Sequence, residues 1–254
     1  MLLTLQRLAE HPRGVSLDDL SRELGAPKSS VHRALAVLVR VGFAEQERSG
    51  GPYRLGLELV RLAFGYHERS DEQALVEPAL EALARRFGET AHYARLDGAE
   101  IVYVAKVTPP VHGVRMTSVI GGRNPAHCTG VGKALLAHAL PDRPAVDEYV
   151  RRFGPLEART VHTITDPAAL HDELELVRGQ GFAVDREESE LGINCVAFAT
   201  FLGSPHVPSG AASVSAVANR TPLSSLLDGV DDIRALLADR LMEPRPQPVL
   251  ARDR

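Results

Sequence analysis

The chain has 254 residues, 44% of them hydrophobic and 24% charged, with a formal net charge of −4. This is an ordinary globular composition, long enough for two domains that each bury a core, and it argues against a uniformly basic nucleic-acid coat. The charge is uneven, however: residues 26–54 carry five Lys/Arg against two Asp/Glu, a local basic bias that suits a DNA reader which does not adhere everywhere.

Leu2, Leu5, Leu8 and Ala9 have the spacing of a first helix. Ser16 followed three residues later by Asp19 resembles a capping box, and the helix it starts turns Leu17, Leu20 and Leu24 inward. Gly25 offers a positive φ at the helix end. Pro27 suits the first position of a third helix. In that third helix Val31, Leu35, Leu38 and Val39 fall on one side and are expected to pack inward. Lys28, Ser29, His32, Arg33, Ala36 and Arg40 fall on the other. Short hydroxyls beside long cations at a helix N-terminus suit phosphate contact, with Arg33 placed to reach a base edge. A hairpin is expected next, its strands near Phe43–Arg48 and Tyr53–Leu55 around Ser49-Gly50-Gly51-Pro52. Helix, turn, helix and hairpin in this order read as a winged helix-turn-helix over residues 1–56. The expected DNA contacts are Lys28, Ser29, Ser30, His32, Arg33, Arg40, Arg48, Tyr53 and Arg54.

A linker helix over 57–71 follows, with Leu57, Leu59, Val60, Leu62, Ala63 and Phe64 as its apolar residues. From residue 72 to 243 the pattern is that of a second domain. Leu75 to Phe87 form a helix stopped by Gly88. Strands are expected at Thr90–Leu96 and Ile101–Val107, joined by Asp97-Gly98, and another near Val114–Val119. A helix spans about Gly130–Ala139, and Asp166-Pro167 opens a further one. Strands near 182–187, 195–202 and 211–218 and a helix over 230–241 complete an α+β domain with a largely antiparallel sheet. The Pro-rich segment 244–254 is expected to be a mobile tail.

Two segments carry chemistry. Asn124-Pro125-Ala126-His127-Cys128-Thr129-Gly130-Val131-Gly132-Lys133-Ala134 places a Thr/Gly-rich loop before a helix, where free N–H groups favour a small anion or carboxylate. It lacks the glycine spacing and following hydroxyl of a P-loop. The second runs from Val184 through Asp185, Glu188 and Gly192 to Asn194-Cys195-Val196-Ala197.

In their order these features resemble the IclR family of bacterial transcription regulators, over nearly the whole chain from Leu2 to about Leu241. The parts that carry the resemblance are Ser29-Ser30-Val31-His32-Arg33, His127 to Ala134, and Asp185-x-x-Glu188 leading to Gly192-x-x-Cys195-Val196-Ala197. The resemblance implies an N-terminal winged helix-turn-helix, a C-terminal effector domain with a GAF-like or profilin-like sheet, and dimers or tetramers. Control would come from a small metabolite, often a carboxylate or an aromatic. Carried over by position, the effector pocket would comprise Met116, Asn124, Gly130, Val131, Asp185, Ile193, Cys195, Ser213 and Ser215. Ser213 and Ser215, two apart on a strand, share a face.

Two rivals use the cysteines. Cys128 or Cys195, with His127 and Asp185, could serve a thiol-dependent enzyme or a zinc sensor. A sequence-adjacent His is a poor base for Cys128, because neighbouring side chains diverge. The ligand types suit zinc but the spacing does not demand it. The expectation is therefore a non-enzymatic, metabolite-responsive regulator, a repressor of a catabolic operon. It would bind double-stranded operator DNA and a small effector as a homodimer or tetramer. No metal or other cofactor is expected. Two cysteines make no disulfide framework, no basic leader opens the chain, and no apolar run nears the ~18 residues that span a bilayer. A reduced cytoplasmic home without membrane contact fits.

Overall fold

The computed structural model describes residues 1–48, 50–67, 71–109, 117–238 and 241. The chain divides into two compact units, Met1–Ser70 and Asp71 onward.

The first unit contains α1 (Leu2–Ala9), α2 (Leu17–Glu23), α3 (Lys28–Arg40), a hairpin of β1 (Ala44–Gln46) and β2 (Tyr53–Leu55), and α4 (Glu58–His67). Ser16 caps α2: its hydroxyl accepts the Asp19 amide at 3.1 Å and donates to the Asp19 carboxylate at 2.7 Å. Gly25 takes φ +57, the left-handed turn that lets the chain double back between α2 and α3. Pro27 sits one residue earlier than its expected place, as the N-cap of α3, with an extended ψ. Leu8, Leu20, Val31, Leu35 and Leu38 form the core of this unit with Val15, Ala44 and Tyr53. Val39, expected inside, is 38% exposed. At about 100° per residue the fourth apolar position of α3 lies at the margin of the inward stripe set by Val31, Leu35 and Leu38.

The second unit is built on one antiparallel sheet. Its strands are β3 (Thr90–Asp97), β4 (Glu100–Val107), β5 (Arg123–Pro125), β6 (Ala183–Arg186), β7 (Ile193–Thr200) and β8 (Gly210–Val217), in the spatial order β5-β4-β3-β8-β7-β6. Of the strand expected near Val114–Val119, residues 114–116 lie outside the described part. Residues 117–119 form no strand, and the edge position goes to β5 instead.

Alternation along the strands gives the sheet two covered faces. On one, Tyr93, Val196, Phe198, Ala212 and Val214 pack against α5 (Asp71–Phe87), α9 (Leu223–Asp228) and α10 (Val230–Leu237). On the other, Ala94, Cys195, Ala197 and Ala211 pack against α6 (Gly130–Ala139), with α7 (Arg143–Phe153) and α8 (Pro167–Gln180) outside it. The expected cap at Asp166 is present, its carboxylate accepting the Ala169 amide at 2.9 Å. The small residues on the α6 face of the sheet matter most, because they let the helix start directly over β7 and β8.

Candidate functional site

The outer face of α3 is free. Lys28, Ser29, Ser30, His32, Arg33 and Arg40 are all exposed. Their cations differ in one respect. Lys28 is paired with Asp18 at 2.7 Å, whereas Arg33 and Arg40 make no ion pair with any described residue. The hairpin shows the same division. Arg54 is held by Glu45 at 2.6 Å and approached by Glu47 at 3.5 Å, which raises its pKa, while Arg48 is exposed and unpaired among the described residues. Among the described residues of this unit the uncompensated cations therefore sit along α3, at the loop end of β1 and, as Arg13, before α2.

Tyr53 does not belong to that face. It is 7% exposed, packs into the core, and exchanges both backbone hydrogen bonds with Val15 at 2.8 Å. Alternation along β2 sends Tyr53 inward and Arg54 outward. Ser49 lies outside the described residues.

In the second unit a cavity of about 50 Å³ opens beneath the start of α6. Asn124, Gly130, Val131, Asp185, Ile193, Cys195, Ser213 and Ser215 all line it. Met116 lies outside the described residues. The strand register explains the convergence: Asp185 faces Cys195, Cys195 faces Ser215, and Ser213 faces His92 across the β6-β7-β8-β3 ladder. A Cβ on Gly130 would stand 2.8 Å from Cys195 Sγ, and one on Gly132 would stand 2.1 Å from the Ala126 carbonyl oxygen. Both glycines are thus needed for the close approach of helix to sheet. Thr129 caps α6 by accepting the Gly132 amide at 3.1 Å, which leaves the earlier amides of the helix without intrahelical partners.

Sequence reasoning missed seven lining residues: His92, Tyr103, Thr117, Ser118, Thr129, Ser189 and Glu190. His92 is the most informative. It is 2% exposed, with Nε2 at 2.8 Å from the Ser118 hydroxyl and Nδ1 at 3.2 Å from the Ser215 hydroxyl. Burial, aided by the nearby Lys106 charge, lowers its pKa to about 3, so the imidazole is neutral. A lone histidine on the face shared by Thr90 and Ala94 was the available signal. Tyr103 stacks beside it, accepts a hydrogen bond from Asn124, and has its phenol pushed up to about 12 by burial. At the rim, Thr117 donates to Glu190 at 2.8 Å.

Asp185 is the acid of the cavity. It is 4% exposed, and its Oδ1 accepts the amides of Glu188 at 2.7 Å and Ser189 at 3.4 Å. Burial dominates and raises its pKa to about 7. Next to it, Lys133 is wholly buried and donates to Glu188 at 2.6 Å and Glu173 at 2.7 Å. This ion cluster fastens the loop after β6 to α6 and α8.

The thiols are poorly suited to chemistry. Cys128 and Cys195 are buried, and burial pushes both up to about 12, whereas a reactive cysteine has a lowered pKa. His127 places its ring nitrogen on the Glu157 carbonyl oxygen at 3.0 Å. No group of three or more His, Cys, Asp or Glu among the described residues is placed to hold a metal ion.

The chain matches two family models. The IclR helix-turn-helix domain covers residues 2–48, and the bacterial transcriptional regulator IclR C-terminal domain covers residues 65–234. The chain belongs to the IclR family of bacterial transcriptional regulators. It is 32% identical to the transcriptional repressor IclR of Escherichia coli K12 over 229 residues, 89% of this chain and 80% of that protein. A crystal structure of an IclR-type regulator from Silicibacter superposes with a TM-score of 0.77 at 28% identity, covering 97% of this chain and 98% of that one. The inducer-binding domain of a double mutant of PobR from Acinetobacter superposes with a TM-score of 0.59 at 28% identity, covering 65% of this chain and 95% of that one. Family membership makes this IclR-family protein a DNA-binding transcription regulator with a small-molecule effector, not an enzyme. No helix among its described residues is long and apolar enough to cross a membrane.

Proposed function

We propose that this protein is a repressor whose α3 enters the major groove of operator DNA and whose cavity beneath α6 takes a small carboxylic acid. The observation that carries the reading is the segregation of charge on the first unit. Of its described cations without an ion pair, Arg33, Arg40 and Arg48 lie on the exposed side of α3 and on the hairpin loop and Arg13 lies before α2, while Lys28 and Arg54 are already neutralised by neighbours. Such a face gains counterion-release affinity without making the whole molecule sticky.

The acid assignment has two supports. The PobR domain was solved with 3-hydroxybenzoic acid. The cavity offers unpaired helix amides and the Ser213 and Ser215 hydroxyls, the kind of donors that recognise a carboxylate. Its volume exceeds the ~10–15 Å³ that a cavity needs to hold one water molecule, which leaves room for a small polar group. Repression is supported by the similarity to the E. coli repressor.

We also assign the apolar residues left exposed on and just before α4, Leu57, Val60, Leu62 and Phe64, to contact with a second copy, so that two readers meet two half-sites. Residues 1–56, 57–71 and 72–243 then act as reader, linker helix and sensor, with 244–254 as a tail. The decisive experiment is selection of duplexes from a random pool, followed by gel shift with and without candidate acids. A symmetric selected site whose occupancy falls with acid fits the proposal. Failure to select any sequence contradicts it.

A further inference from the structure

We propose that the cavity takes its effector as a carboxylate paired with a proton on Asp185, so that the aspartic acid donates a hydrogen bond to the ligand. The inference rests on the acid-effector reading above and deepens it.

The charge inventory of the site leads there. Among the described residues no Lys or Arg lines the cavity. The ammonium groups nearby already have partners: Lys133 on α6 is held by Glu188 and Glu173, and Lys106 on β4 donates to the Ser118 carbonyl oxygen at 2.6 Å. His92 on β3 is neutral, its two ring nitrogens engaged with Ser118 and Ser215. Tyr103 on β4, Cys195 on β7 and Cys128 before α6 hold their protons far above neutrality. The remaining acids are Asp185 itself, Glu188 on the same loop and Glu190 at the rim. An ionised Asp185 would set one buried anion against another with no cation among the described lining residues, an arrangement that low-dielectric surroundings make costly.

The geometry supplies the alternative. Asp185 Oδ1 is occupied by two backbone amides, whereas Oδ2 takes no hydrogen bond from any described residue. A proton on Oδ2 gives the cavity an acid O–H donor beside the Ser213 and Ser215 hydroxyls, and short O–H···O⁻ bonds are among the stronger ones. The burial that raises Asp185 to about 7 leaves the proton on about half of the molecules near neutral pH, and an incoming carboxylate draws the rest to the protonated form. An acid bound above that range must bring a proton with it, and one bound below it need not.

The test uses the full chain with three probes: acetate, benzoate and 3-hydroxybenzoate. Titration calorimetry at pH 6 and pH 8, in two buffers of different ionisation enthalpy, reads affinity and proton uptake together. The expected result for wild type is about tenfold weaker binding at pH 8, one pKa unit past the midpoint, with about one proton taken up per acid bound. In Asp185→Asn the dependence on pH disappears, because the carboxamide donates an N–H that does not titrate. If that variant does not fold, wild type labelled with carboxyl-¹³C aspartate decides the point, through a buried carboxyl resonance that titrates near pH 7.

Equal wild-type affinities at both pH values with no proton uptake overturn the inference. So does a pH dependence that survives in Asp185→Asn and vanishes in Glu188→Gln. Absence of binding by all three acids at pH 6 contradicts this inference and the acidic-effector reading together. DNA binding by the same protein tests the regulator assignment separately.

Discussion

A β-carbon on Gly130 would stand 2.8 Å from the sulfur of Cys195. Both residues line the cavity beneath α6, where the helix begins over β7. The contact ties packing to function: the residue that allows helix and sheet to meet also leaves the ligand its space.

Gly130→Ala therefore carries two costs. The methyl must push helix from sheet, and overpacking of this kind destabilises by ~1–3 kcal/mol. It also narrows the cavity. Chemical denaturation should show the stability loss, and thermal shift with an acid that binds wild type should show none of the ligand-induced rise. Full ligand protection in the variant would mean the cavity lies elsewhere.

Lys133 is the second test of the site's construction. It is wholly buried between Glu173 and Glu188, and Glu188 Oε2 already lacks a hydrogen-bond partner. Lys133→Met takes from Glu188 its cation and leaves Glu173 only the more distant Arg186 at 3.7 Å, and breaking a buried pair costs ~3–5 kcal/mol. Glu188 already has a raised pKa from burial, and losing the lysine raises it further. The deficit should thus shrink as pH falls and the acid takes a proton. Denaturation at pH 5 and pH 7 checks this; a loss under ~1 kcal/mol at pH 7 contradicts the clamp.

Asp185 makes stability itself depend on pH. Its folded pKa of about 7 exceeds the ~3.9 of an unfolded aspartate. A raised acid pKa means the folded state holds the proton longer. The contribution is most favourable below pH 4, declines as pH rises from there to 7, and is level above. The span corresponds to ~4 kcal/mol at most. Comparing wild type with Asp185→Asn across pH 4–8, the difference between their unfolding free energies should drift in that window and flatten beyond it. A constant difference would place the titration in another group.

The hairpin cations offer a comparison within one element. Arg48 is unpaired among the described residues and Arg54 is bound to Glu45. Removing a free cation that meets phosphate lowers the salt slope of DNA binding by ~1. Removing one that is already compensated changes it less. Arg48→Ala should accordingly flatten log K against log salt more than Arg54→Ala, measured by fluorescence anisotropy on a selected duplex. The reverse order would show that Arg54 leaves Glu45 for the DNA.

Much of this was legible in residue order because the signals are local. Ser16 and Asp166 as caps, Gly25 as a left-handed turn, and the 3.6-residue spacing of Val31, Leu35 and Leu38 mark elements that the structure contains. Helix α7 carries similar marks, with Asp142 as its cap and Val146, Tyr149, Val150 and Phe153 in helical register, yet it was not anticipated. Tyr53 and Val39 misled for a tertiary reason: which way a strand residue faces, and how wide a buried stripe is, depend on neighbours that the local pattern does not contain. The cavity was reached through family likeness and not through periodicity. Its walls come from all six strands of the sheet and from α6, and only the strand order sets His92 beside Ser215.

The central claim is that the exposed side of α3 reads DNA, and Arg33 tests it most directly. On a duplex selected by wild type, Arg33→Ala should bind about 5- to 150-fold more weakly, equivalent to ~1–3 kcal/mol, and should tolerate base changes that wild type rejects. Unchanged affinity and unchanged sequence preference, in a variant that melts at the wild-type temperature, would contradict the account.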